Sequence, residues 1–216
     1  MSEVMSQVSA SAVVRGTVAA AGITVFTTWA LAVGNGDVPM DFLPMISDTF
    51  VKAPESYVSR WGIVTVSTLL QLAVWFTHSY LRAFAAPTAA WRWFTLAHTL
   101  VGSASAVALG IVGSVSDKEN LVAHGNAATT FFIGCLVWQG CYTTQLALHP
   151  GAAASRQSLR IKSACAVAAS GALVAFFTLA GIDLMGNYRW VAVCEWVVAV
   201  GLMTSVYSLS MEFEGG

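Results

Sequence analysis

Six apolar runs of roughly 20 residues, parted by short gaps that hold most of the charge, restrict this chain more than any other feature. A helix of that length crosses a hydrocarbon core of about 30 Å. The pattern therefore predicts an all-α, polytopic membrane protein. Composition agrees: 56% of residues are hydrophobic and 10% charged, against about 45–50% and about 25% in soluble domains. The length alone would suit one soluble domain, but charge confined to the gaps argues against it. A net charge of −1 without any Lys/Arg cluster excludes a nucleic-acid binder. The partner implied first is the lipid bilayer; no cofactor, metal or catalytic motif is expected.

The predicted spans are 13–34, 61–81, 91–115, 122–146, 163–182 and 188–210, forming one six-transmembrane-helix bundle over residues 1–216. The first exceeds a signal-peptide apolar core and has one basic flank, Arg15. It is read as a retained helix despite the small triplet Ala30-Leu31-Ala32. Ser67, Gln71, Trp75, His78 and Arg82 share one face of the second span. His124, Ala128, Phe131, Cys135, Trp138, Gln139, Tyr142 and Gln145 share one face of the fourth. Such faces should turn towards partner helices. The Gln139, Tyr142 and Gln145 stripe suits either helix–helix bonding or a polar conduit. Gly102, Ala106 and Gly110 in the third span, and Ala164, Ala168 and Ala172 in the fifth, predict close backbone approach. Cys135, Cys141, Cys165 and Cys194 all lie inside apolar runs, as small hydrophobes rather than disulfide partners or metal ligands.

One connection is long. Residues 35–60 hold Asp37, Asp41, Asp48, Glu55, Pro44 and Pro54, whereas SDKEN (116–120) and GNYR (186–189) are tight turns. Residues 149–162 are expected to be a loop carrying Pro150, Gly151, Arg156, Arg160 and Lys162, and MEFEGG a short acidic tail. Six spans put both termini on one side. That side collects Arg15, Arg82, Arg92, Arg156, Arg160 and Lys162, against Lys52, Arg60, Lys118 and Arg189 opposite. The excess of Lys/Arg predicts cytosolic termini and a lumenal or extracellular 35–60 loop.

Glu195, in the string VCEWVV, is the sharpest single residue. A carboxylate inside a span costs on the order of 2–3 kcal/mol, so it calls for a partner or a proton. At 1.5 Å per residue it lies within about 10 Å of the lumenal boundary. His124 enters the fourth span at the same level, and Asp48 and Glu55 approach from the loop. Asp48, Glu55, His124 and Glu195 thus make a candidate lumenal polar site. Carboxylates with a histidine suit acid–base attack on a lipid ester, a divalent cation, or a network tying the loop to the bundle. Neither G-x-S-x-G nor H-E-x-x-H occurs, which favours the last. His78, Arg82 and His98 make a candidate cytosolic head-group site for an anionic lipid; snorkelling arginine and interface histidines are the plainer reading.

The ISDT signature at 46–49 is followed by PES at 54–56 and a span; His124-Gly125 opens the fourth span, and CEW stands at 194–196. In these features the chain resembles the Frag/DRAM/Sfk family of six-span membrane proteins, over roughly residues 16–212. It departs from the autophagy-modulator members at Phe50, where they place a glycine, and in its short turn between spans three and four. The resemblance implies a multi-pass regulatory protein of the endomembrane system, modulating autophagy or lysosome function through lipid head groups or membrane-protein partners. The family's other branch implies a Golgi factor in GPI-anchor lipid remodelling. A transporter or channel accessory is the third reading. The compartments so implied are lysosomal or endosomal, Golgi, or the plasma membrane.

Overall fold

The computed structural model describes residues 2–38, 42–149 and 155–215, with side chains from residue 10 to residue 214. Asp41 and the Pro150–Gly151 bend lie outside the described residues. The helices are α1 (Ser2–Gly34), α2 (Glu55–Phe84), α3 (Ala89–Ser114), α4 (Leu121–Leu148), α5 (Arg156–Asp183) and α6 (Tyr188–Gly215), with one 3₁₀ turn at Ser47–Phe50. Five of them, all but α2, are long and apolar enough to cross a membrane. α2 matches the others at 30 residues. Its polar residues, among them Ser59, Arg60, Ser67 and Gln71, lower its apolar average.

Each helix packs on its chain neighbour, and α1 returns to α6 to close the ring. α4 also touches α6 across the ring, which leaves α5 outermost. Val167, Val174 and Ile182 on α5 are accordingly exposed. Leu70, Leu81, Cys135, Trp138, Tyr142, Leu202 and Val206 are fully buried and form the centre.

The interfaces explain the sequence pattern. From α2 to α3, Ser67 Oγ donates to the Ala106 carbonyl at 2.6 Å, the Gln71 amide lies 2.8 Å from Ser103 Oγ, and His78 Nδ1 lies 3.0 Å from Thr99 Oγ1. α3 approaches α4 where Gly102 lies under the Trp138 ring; a β-carbon there would come within 2.8 Å of it. Gln139 Nε2 donates to the Leu202 carbonyl at 3.1 Å and Tyr142 OH meets Ser205 Oγ at 3.2 Å. Gln145 bonds Thr95 and the Ala85 carbonyl. The stripe on α4 is therefore occupied by helix–helix bonding.

Four expectations need correction. The stretch 149–162 is not all loop: Ser155 Oγ caps the Ser158 N–H at 3.0 Å and starts α5 at Arg156. The long connection ends at Pro54 rather than residue 60, because Glu55 already opens α2. Proline has no N–H to leave unsatisfied at a helix start, and an acid in the first turn suits the dipole. MEFEGG is not a free tail; α6 continues as far as Gly215, with Phe213 buried against Tyr80. Lastly, the alanine ridge on α5 packs only in part: Ala172 is half-buried against the core. Ala164 and Ala168 are exposed, while Ala169 packs where Gly201 of α6 lacks a side chain. Alanine is abundant on α5, so the small residue on the partner selects the face.

Candidate functional site

At the end of the bundle that carries the α1–α2 loop, three side chains of α6 grip that loop. Trp196 Nε1 donates to the Pro44 carbonyl at 2.8 Å. Glu195 Oε2 accepts the Ile46 N–H at 2.7 Å. The Tyr188 hydroxyl accepts the Met45 N–H at 3.2 Å and donates to Asp48 Oδ2 at 2.5 Å. Tyr188 and Glu195 stand two helical turns apart and so share a face. The Ile46 N–H belongs to the start of the Ser47–Phe50 turn, where N–H groups lack intrahelical partners. Glu195, itself 8% exposed, supplies the missing acceptor. Thr49 folds back on the Ile46 carbonyl at 2.8 Å and lies 3.4 Å from Thr28 Oγ1 of α1. CEW and ISDT, remote in the chain, are thus bonded to each other.

The four residues of the candidate lumenal site fall into two pairs, separated by this turn. Glu195 and His124 line an inner cavity of about 100 Å³, with Ser47, Phe50 and Phe131. Phe50 is buried there, filling space between the loop and the helices. His124 Nδ1 donates to the Val115 carbonyl at 2.7 Å, a bond that fixes the orientation of the ring. Asp48 and Glu55 line an outer cleft of about 220 Å³ with Lys52, Lys118 and Tyr188. Glu55 is 1% exposed; its Oε1 accepts from Asn35 Nδ2 at 2.9 Å. Lys52 pairs with Asp37 at 2.6 Å, and this hydrogen bond raises the ammonium above its ordinary pKa. Each acid therefore meets a donor from the protein: an amide, a hydroxyl or a backbone N–H.

At the opposite end, His78 and His98 are buried but face different neighbours. His78 meets Thr99, and His98 Nε2 lies 3.0 Å from Gln145 Oε1. Arg82 is exposed instead. The histidines join a polar network of α2, α3 and α4, in which Gln145 Nε2 reaches Thr95 Oγ1 at 2.8 Å.

The sequence reading missed a buried ion pair. Lys162 Nζ lies 2.8 Å from Glu212 Oε2, with side chains 0% and 1% exposed. Ser158 bonds both partners. A usable signal existed: Ser155 as a cap makes Ser158 and Lys162 one face of a helix, four residues apart. Nearby, Arg15 pairs with Glu214 at 2.5 Å and Ser11 donates to the same oxygen, tying α1 to the end of α6.

A ring of long apolar helices, with polar side chains turned inward and a loop latched over one end, defines a polytopic α-helical membrane protein. The family model described as the Frag1/DRAM/Sfk1/Cwh43P N-terminal domain matches residues 9–216, and the chain belongs to that family. No curated protein and no solved structure matches it.

Proposed function

We propose that this chain is a DRAM-like regulatory protein of endomembranes, modulating autophagy or lysosome function through bound lipid or a membrane-protein partner. All six helices span the bilayer, α2 included, with both termini cytosolic and the α1–α2 loop lumenal. Supporting that orientation, the termini end holds six of the ten Lys/Arg residues. One observation carries the regulatory reading: the grip of Tyr188, Glu195 and Trp196 on residues 44–48. It ties Asp48 and Glu195 into the loop fold, which favours a shaped docking surface over a reaction centre. The test is autophagic flux in cells lacking the chain, with localisation of a tagged copy. Restored flux with wild-type but not with a loop-released variant supports the reading; unchanged flux on loss of the chain rejects it.

A second reading, a factor in GPI-anchor lipid remodelling, is favoured by His124 and Glu195 sharing one cavity. A histidine and a carboxyl group lining one cavity suit proton transfer at a lipid ester. Analysis of anchor lipids in the same cells separates the two readings, because a change in anchor chains would be specific to this one.

A further inference from the structure

Between α1 and α6 lies a groove of about 380 Å³, lined almost wholly by apolar side chains from Val18 to Trp29 and from Trp196 to Tyr207. Its volume falls within the range of about 300–1,000 Å³ usual for small-ligand sites. At 1.5 Å per residue it extends roughly 17 Å along α1. Three observations bear on its occupant. Both walls belong to helices long and apolar enough to cross a membrane, so the medium at its mouth is hydrocarbon. Gly22 lines it, and a β-carbon there would meet nothing within 4 Å. The groove also shares Ala21, Val25, Ile46, Ala199 and Met203 with the inner cavity of Glu195 and His124. Groove and cavity are thus neighbours that share a wall beneath the loop. Its walls are adjacent, contacting helices. Packed helix axes stand about 8–10 Å apart, so a helix of about 10–12 Å diameter could lie over the crevice but not enter it, whereas a single hydrocarbon chain can.

We propose that the α1–α6 groove is a binding site for one hydrocarbon chain of a bilayer lipid. The lipid enters sideways from the leaflet on the loop side. Ile46 stands at the junction of groove and cavity, and its backbone is the one that Glu195 fixes. This rests on the membrane-spanning reading of the six helices and names a ligand class for the proposed regulator.

The test uses the full chain in phosphatidylcholine vesicles containing phosphatidylcholine with a photoactivatable diazirine in one acyl chain. Cross-linked peptides are mapped by mass spectrometry. Peptides 18–29 and 196–207 should be labelled about tenfold more than 163–183 of α5, although α5 is the more exposed helix. Gly22→Leu, which fills the groove, should remove most of that excess; Val200→Trp is the second blocking variant should the first fail to fold. Equal labelling of α5 and the groove helices, or an excess that survives in a folded blocked variant, overturns the proposal. So does cross-linking of the groove to a second copy of the chain. Labelling confined to α5 rejects the groove but leaves the membrane reading, whereas labelling of no helix rejects both.

Discussion

Glu195 of α6 and Ile46 of the α1–α2 loop are 149 positions apart in the chain, yet the carboxylate accepts the Ile46 N–H at 2.7 Å. The bond explains why an acid is kept about two turns inside an apolar helix. Glu195→Gln preserves an oxygen acceptor and the side-chain volume, so the loop should stay latched. Glu195→Ala leaves a buried N–H unsatisfied, at a cost of about 1–3 kcal/mol. The expected result is faster hydrogen exchange and proteolysis at 42–54 in the alanine variant only. Equal release of the loop by both variants would show that the charge, not the acceptor, holds it.

Tyr188 is the hinge of the same latch, since one hydroxyl serves both Met45 and Asp48. Tyr188→Phe removes two hydrogen bonds while leaving the ring in place. A loss of about 1–3 kcal/mol is expected, with exchange rising at Met45. If thermal unfolding and exchange at Met45 match wild type, water replaces the hydroxyl and the latch does not depend on it.

How much of this was legible beforehand depends on where each residue's partner lies. The helices were readable because their apolar runs are local and long. The polar faces of α2 and α4 were readable because helical spacing alone aligns Ser67 with Gln71 and Trp138 with Tyr142. Lys162 was misplaced in a loop because the nearby Pro150 and Gly151 read as a break, and its partner Glu212 is 50 positions away. Tyr188 escaped notice because a tyrosine at a span boundary is ordinary. The pairing of Ala169 with Gly201 was hidden for a related reason: which of many alanines packs is decided on another helix.

The Lys162–Glu212 pair gives a sharp test of whether a buried ion pair is structural. Lys162→Met alone strands a carboxylate at 1% exposure, which should destabilise by about 3–5 kcal/mol. Adding Glu212→Leu removes the stranded charge, and stability should return to near wild type or above it. A double-mutant cycle in detergent, read by thermal unfolding, supplies the numbers. Additive losses would mean that the two side chains do not support each other.

Glycine contacts between helices make a steric prediction. At Gly102 a β-carbon would press on the Trp138 ring at 2.8 Å, whereas at Gly140 it would meet nothing within 4 Å. Gly102→Ala should therefore destabilise by about 1–3 kcal/mol through overpacking. Gly140→Ala should be neutral or slightly stabilising, from better helix propensity. Thermal unfolding of the two variants side by side checks the contrast; equal effects would mean that α3 and α4 are not in this register.

The turn between α3 and α4 should respond to acid. Glu119 accepts from the Ser116 N–H at 2.9 Å and pairs with Arg60 at the start of α2. The Ser116 amide first, and the Arg60 guanidinium next, hold its carboxyl below the ordinary value of 4.5. A depressed carboxylate stabilises the fold fully above its unfolded pKa, and that contribution disappears as pH falls through the folded pKa. Protection of the Ser116 amide should thus be constant from neutral pH down to about 5 and decline below about 4. Glu119→Gln should abolish the pH dependence at that amide while leaving the Ile46 amide unaffected. High salt should weaken the Arg60 link, which is exposed and screened, but not the local bond to Ser116. A Ser116 amide whose protection ignores pH in the wild-type chain would show that the Glu119 carboxylate is not what closes this turn.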